Sequence, residues 1–207
     1  MKKKTPDDVR TELNRQIIQE VLADRYLRFS IEKLIIVEDL ANNHTNVTCG
    51  LGITNLKGEE TCYEIESSGA GMVDALFNGI VTQLVEDCHS LSNLQLEEFY
   101  IEIDEEELRD LRRRGRGTEV NTEVTLIIDN GCRTLISFRS RNRSMVAAAV
   151  DVVRRTVEFF VNSERAVLRL RMLVEDANAR NRPDLADRYT SQLSSLVYNT
   201  SYVTSFL

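Results

Sequence analysis

The sequence predicts an α+β fold made of two tandem βββα units, an internal duplication, with added N- and C-terminal helices. Three observations predict it. Runs of alternating or continuous apolar residues, the mark of half-buried and buried strands, come in two groups of three. Each group leads into a stretch with apolar residues every three or four positions, the spacing of one helix face. The groups also align with each other: Met145-Val146 lies 73 positions beyond Met72-Val73, and the same shift lays Ile65 on Phe138, Ser67 on Ser140 and Ala75 on Ala148.

The first element is a helix over residues 6–27, with Val9, Leu13, Ile17, Ile18, Val21 and Leu22 on one face and Asp7 and Asp8 suited to its N-terminal dipole. From about residue 31 the period changes. Leu34 to Val37 is an apolar run, and Val47, Cys49, Leu51 and Ile53 alternate with polar neighbours. Asn55-Leu56-Lys57-Gly58 reads as a hairpin turn. A third strand, Thr61 to Ile65, leads through Ser67-Ser68-Gly69-Ala70-Gly71 into a helix over Met72–Leu84, where Val73, Leu76, Phe77, Ile80 and Leu84 share a face.

The second group reads as strands at Leu96 to Ile103, Glu119 to Ile128 and Arg133 to Phe138, with Asp129-Asn130-Gly131 as a turn and a helix from Ser144. Val157, Phe160, Val167, Leu170 and Leu173 carry the helical spacing on to about residue 179. Asn181-Arg182-Pro183 then breaks the run before a last helix with Leu185, Tyr189, Leu193 and Leu196 on one side. The resulting organisation is an N-terminal helix at 1–30, a duplicated domain at 31–162 with units of about 31–90 and 94–162, and a C-terminal helical extension at 163–207. Glu105-Glu106-Glu107 followed by Arg112-Arg113-Arg114-Gly115-Arg116-Gly117 reads as an exposed loop.

Composition narrows the function. With 207 residues, 42% hydrophobic and 29% charged, the chain can bury a sizeable core. A net charge of −7 argues against nucleic acid as the main partner, because neutralising phosphates needs a basic surface. The start, MKKKTPDDVRTEL, has no apolar stretch after its lysines, and no later run approaches the roughly 20 apolar residues of a membrane span; the expectation is a cytoplasmic protein with no membrane partner. Cys49, Cys62, Cys88 and Cys132 show no metal or dithiol spacing and read as buried free thiols.

The segment Gly69-Ala70-Gly71-Met72-Val73-Asp74-Ala75-Leu76-Phe77 resembles the glycine-rich turn and helix start, of the form GxGPVDAxF, in the C-terminal regulatory domain of the isopropylmalate and citramalate synthase family, with Met72 in place of the proline. Leu96 to Ile103 resembles that family's next strand. Gly117-Thr118-Glu119-Val120-Asn121-Thr122-Glu123-Val124-Thr125-Leu126 is similar to its GTDAxGEVTV segment, and Asp129-Asn130-Gly131-Cys132-Arg133-Thr134 to its acidic hairpin. Together these cover roughly residues 33–162. The resemblance implies two βββα units, a homodimer, and a site where a branched-chain amino acid or related small carboxylate inhibits the attached synthase; the expectation for this chain is a stand-alone domain acting on a separate synthase catalytic subunit.

It also implies that the effector sits between the Gly69, Ala70, Gly71, Met72, Val73 and Asp74 turn and the second unit's first strand, with Phe99 and Ile103 as apolar contacts. Physical chemistry allows this, since glycines let a backbone approach a ligand and the first turn of a helix favours a carboxylate. The same residues also read as an ordinary strand-to-helix turn, Asp74 as a helix-dipole partner, and Phe99 and Ile103 as core. At the second helix start the family's acidic residue is absent, and Ser140-Arg141-Asn142-Arg143-Ser144 stands there instead.

No catalytic role is predicted. In the synthases catalysis belongs to a separate metal-binding barrel with a His-x-His pair. The only histidines here, His44 and His89, have no carboxylate or cysteine at ligand spacing, so neither metal nor cofactor is expected. Glu64 and Glu66 share a strand face and read as solvent-facing charges. Two further classes stand beside the regulatory reading: a dimeric structural or interaction protein whose effector pocket has been lost, and a nucleic-acid binder using Arg112 to Arg116 with Arg139, Arg141 and Arg143.

Overall fold

The computed structural model describes residues 6–103, 108–109, 112–113, 120–132, 135–200 and 202. These form an α+β architecture of two three-stranded antiparallel sheets and four α-helices. The first helix, α1 (Pro6–Leu22), stops short of the expected residue 27 because Ala23 turns to a φ of 47° and opens a 3₁₀ turn, Ala23–Arg25. Only its C-terminal half lies over the core. Asn14, Ile18 and Leu22 are buried, whereas Val9 and Leu13, expected on the same face, remain 45% and 55% exposed.

Strand β1 (Leu27–Asp39) begins four residues earlier than predicted. Its start is held by groups far away in sequence. The Leu27 N–H donates to Asn162 Oδ1 at 2.9 Å, and Asn162 Nδ2 donates back to the Leu27 carbonyl at 2.8 Å. The Phe29 N–H donates to Glu158 Oε2 at 3.0 Å, and Arg154 Nη1 donates to the Phe29 carbonyl at 3.0 Å. An edge strand's unpaired backbone is thereby satisfied by side chains of one helix.

In the first sheet β1 pairs with β2 (His44–Asn55), and β2 with β3 (Glu60–Gly69), placing Cys49 between Leu34 and Ile65. The second sheet pairs β4 (Gln95–Ile103) with β5 (Thr122–Asp129) and β5 with β6 (Leu135–Asn142), placing Leu126 between Phe99 and Phe138. Each sheet carries one register shift on its first strand. In the first it falls between the pairs Ile31–Leu51 and Leu34–Cys49, and in the second between Leu96–Ile128 and Glu98–Ile127.

Strands β3 and β6 outrun the sequence expectation. Ser67, Ser68 and Gly69 pair with Val47, Asn46 and Thr45, and Ser140, Arg141 and Asn142 with Val124, Glu123 and Thr122. Segments that read as turns are therefore ladder residues, because long central strands offered them backbone partners. The expected strand starts at Glu119 and Arg133 lie outside the described residues. So does most of the Glu105 to Gly117 segment; its described residues, Leu108, Arg109, Arg112 and Arg113, have helical backbone instead of the expected loop, and the three arginines are exposed.

Helix α2 (Met72–Leu84) buries Val73, Ala75, Leu76, Phe77, Gly79, Ile80 and Leu84 against β2 and β3. Helix α3 (Met145–Ala179) is capped by Ser144, whose hydroxyl accepts from the Ala147 N–H at 3.2 Å. The boundary at 162 falls inside α3, which runs unbroken from the second sheet out to its pairing with α4 (Pro183–Leu196). Phe138, Phe159 and Phe160 meet with ring centroids 5.4 to 5.9 Å apart and steeply tilted planes, which adds about 0.5–1.5 kcal/mol per pair beyond area burial.

Cys49 and Cys88 are buried and Cys132 half-buried, but Cys62 is exposed, contrary to expectation, because it shares the outward parity of Glu60, Glu64 and Glu66 on β3. His44 opens β2 opposite Asp39 rather than lying in a loop. Among the described residues, no helix is long and apolar enough to cross a membrane, and no three His, Cys, Asp or Glu side chains group as metal ligands.

Candidate functional site

The turn before α2 is built to hold itself. Asp74 Oδ2 accepts from the Ala70 N–H at 3.1 Å, and its Oδ1 accepts from Asn78 Nδ2 at 2.8 Å. Both carboxylate oxygens thus serve the turn and the helix that carry them. A Cβ at Gly69 would lie 2.4 Å from Asp74 Oδ2 and 2.8 Å from the Ala75 nitrogen, so that glycine permits the strand to fold tightly onto the helix. Gly71 is extended, at a φ of −164°, and faces open space. Ala70 is exposed, Met72 half-buried against the core and Val73 buried.

Phe99 and Ile103 stand apart from that turn. With Ile101 they lie on the face of the second sheet that carries Val124, Leu126 and Ile128, yet all three are exposed, at 39%, 40% and 51% for Phe99, Ile101 and Ile103. Phe99 and Ile103 are therefore not core residues, contrary to expectation. Strand β4 is the free edge of its sheet, and α2 spends its apolar face on β2, β3 and α3. Gly69 to Asp74 come together at the turn, and among the described residues α2 packs on β2, β3 and α3 rather than on β4.

A cleft does form elsewhere, between β1 and the start of α3, with a volume of about 510 Å³. Ile31 and Leu34 of β1 face Val146 and Val150 of α3, while Ser144, Asp151 and Arg154 supply polar groups. The pocket therefore has apolar side chains on both walls, with Ser30 and Glu32 adding polar groups from β1, the mixed lining expected of a site for a small amphiphilic molecule.

Asp151 and Arg154 are held in place. Arg154 reaches Asp151 at 2.7 Å, Glu158 at 2.7 Å and the Phe29 carbonyl, while Arg155 binds the other Asp151 oxygen at 2.8 Å. Ser140 Oγ donates to Asp151 at 2.6 Å. Burial alone would raise the Asp151 carboxyl, but the hydrogen bonds from Ser140 and Arg154 and the charge of Arg155 outweigh it and hold the group below its ordinary value. The Tyr26 hydroxyl donates to Glu158 Oε1 at 2.9 Å, and burial together with that carboxylate pushes it up, so it stays a donor at every physiological pH.

This network was missed from sequence. Its signal was present, because Asp151, Arg154, Arg155 and Glu158 recur at helical spacing in a run whose other residues are mostly apolar, and a charged stripe there must find partners. Arg141 and Arg143, singled out for the second turn, are exposed. Glu64 and Glu66 are exposed on β3, as their alternation predicts.

Comparison of the chain with protein-family models and with curated proteins gives no match in either case.

Proposed function

We propose that this chain is a non-catalytic regulatory domain of two related βββα units, similar to the regulatory domain of isopropylmalate and citramalate synthases. It binds a small branched-chain amino or keto acid and acts as a homodimer on a separate synthase subunit. Two correspondences support the duplication. The register shifts match, since Ile31–Leu51 and Leu34–Cys49 in one sheet correspond to Leu96–Ile128 and Phe99–Leu126 in the other. Five of the seven buried α2 positions, Ala75, Leu76, Gly79, Ile80 and Leu84, fall at the 73-residue shift on buried residues, Ala148, Ala149, Val152, Val153 and Val157, while Val73 and Phe77 fall on the exposed Val146 and the half-buried Val150.

The observation that carries the ligand reading is the cleft between β1 and α3. Under this correspondence Leu34 stands where Phe99 does, and the start of α3 stands where the start of α2 does. The cleft thus has the relation that the resemblance assigns to the Gly69 turn and β4, with the two units exchanged. A branched side chain would lie on Ile31, Leu34, Val146 and Val150, and its carboxylate at Ser144 and Arg154. Calorimetric titration with leucine, isoleucine, valine and their keto acids tests this, with Val150→Glu as the blocked variant. Heat from wild type that disappears in Val150→Glu supports the reading, and heat that persists unchanged in the variant removes the cleft from it.

A second reading, a dimeric interaction scaffold without an effector, is favoured by the exposed Phe99, Ile101 and Ile103 and by the commitment of Asp74 to its own turn. It predicts a concentration-dependent dimer that is lost in Ile101→Lys and indifferent to all of these acids.

A further inference from the structure

On the other side of Arg154 lies a second concavity, roofed by α1. It comprises two adjoining clefts of about 430 and 300 Å³ that share Arg15 and Arg155. Phe29 and Arg154 separate it from the cleft between β1 and α3. Its walls bring guanidinium groups together from three elements, Arg15 from α1, Arg28 from β1, and Arg154 and Arg155 from α3, over a floor that includes Phe29 and Phe159. In a chain of net charge −7 such a concentration of arginines on one concave surface runs against the overall balance.

Every carboxylate oxygen of Glu158 and Asp151 is already taken: Glu158 by Tyr26, the Phe29 N–H and Arg154, and Asp151 by Ser140, Arg154 and Arg155. Among the described residues Arg15 pairs with Glu12, an i,i+3 contact at the surface that is worth little. Arg155 reaches Asp151 through its Nε, and its terminal nitrogens have no partner among the described residues. Arg28 has no side-chain partner among the described residues. The Ser137 hydroxyl in the adjoining wall is sealed from solvent and likewise unpartnered among them. A guanidinium offers five donors and no acceptor, so Arg15, Arg28 and Arg155 bring more N–H groups to the cleft than the described residues there accept.

We propose that this cleft binds a phosphate group, free or as a small monoester. A tetrahedral dianion accepts from several guanidiniums arriving along different directions, whereas a planar carboxylate is satisfied by one fork. The apolar floor lowers the local dielectric and strengthens those contacts. This site does not depend on the branched-chain reading, and its lining differs from that cleft's except at Phe29 and Arg154.

The test is a titration with inorganic phosphate at constant ionic strength, followed through the arginine side-chain Nε–H resonances, with succinate as the dicarboxylate comparison. Arg28→Gln is the main variant, because Arg28 is exposed and its loss leaves the fold's ion pairs intact; Arg180→Gln, at the far end of α3, is the control. The expected result is saturable binding that moves the Arg28 and Arg155 signals, is weakened about tenfold in Arg28→Gln and is unchanged in Arg180→Gln. Absence of saturation, equal affinity in Arg28→Gln, or succinate binding as tightly as phosphate would each overturn the proposal. Heat from branched-chain acids in Arg28→Gln reports on the other cleft, so the two readings fail separately.

Discussion

The Ser90 N–H donates to Glu164 Oε2 at 2.7 Å, joining the 3₁₀ turn after α2 to the middle of α3. Cys88 Sγ shares the same oxygen at 3.0 Å, and the Tyr202 hydroxyl donates to Oε1 at 3.1 Å. Glu164 is only 4% exposed, so its charge is tolerated because three donors face it. Glu164→Ala strands those donors and is expected to cost about 2–4 kcal/mol, and Glu164→Gln about half that, read from urea midpoints.

The pH dependence follows from the same bonds. Burial would raise the Glu164 carboxyl, but the hydrogen bonds from Cys88, Ser90 and Tyr202 hold it below its ordinary value. A depressed folded-state pKa stabilises the fold above the ordinary carboxyl range, and that stability is lost as pH falls through it. Wild type should therefore lose stability below about pH 4.5, and Glu164→Gln should lose less over the same interval. Parallel curves for the two proteins would remove Glu164 from the account.

At Gly79 α2 comes close to the middle of β3. A Cβ there would lie 2.6 Å from Ser67 Cβ and 2.9 Å from Ile65 Cγ2. Alanine ordinarily favours a helix by up to about 1 kcal/mol over glycine, but overpacking here costs about 1–3 kcal/mol. Gly79→Ala should come out destabilised, whereas Gly71→Ala, with open space around it, should change stability by less than about 0.5 kcal/mol. Thermal melts of the two variants side by side decide it.

Asn162 is fully buried in α3 and holds both backbone groups of Leu27. Its replacement by alanine leaves a donor and an acceptor unmade and should cost about 2–3 kcal/mol. Hydrogen exchange gives the local readout: the Leu27 amide should lose protection selectively, and unchanged protection there would mean that the start of β1 is held by something else.

Thiol reactivity separates the four cysteines. Cys62 is exposed, while burial pushes the Cys49, Cys88 and Cys132 thiols up, with Glu164 adding to the effect at Cys88 and Asp129 at Cys132. A disulfide reagent should modify Cys62 first in the native protein, and Cys62→Ser should abolish the fast phase. Survival of that phase would place the reactive thiol elsewhere.

Local pattern made most of the elements legible. Val73, Leu76, Phe77, Ile80 and Leu84 declare α2, and Val47, Cys49 and Leu51 declare the inner face of β2, because periodicity reports burial directly. What it missed depends on distant partners. Leu27 and Phe29 belong to β1 through Asn162 and Glu158, more than 120 residues on. Val9 and Leu13 keep a helical face that stays about half exposed, and Phe99 and Ile103 look like core although their strand is an edge. At the Gly69 turn the residues were visible and their partners were not: Asp74 could be read as free for a ligand until its two oxygens were seen to be occupied.

The most direct test of the central claim is a thermal-shift series with leucine, isoleucine, valine and their keto acids. A ligand present at about 100 times its dissociation constant adds roughly 2.7 kcal/mol of stability. The account predicts a selective, saturating rise in Tm with at least one branched-chain acid, absent in Val150→Glu. A flat response of wild type to every one of them would contradict it and leave the interaction scaffold as the function of this fold.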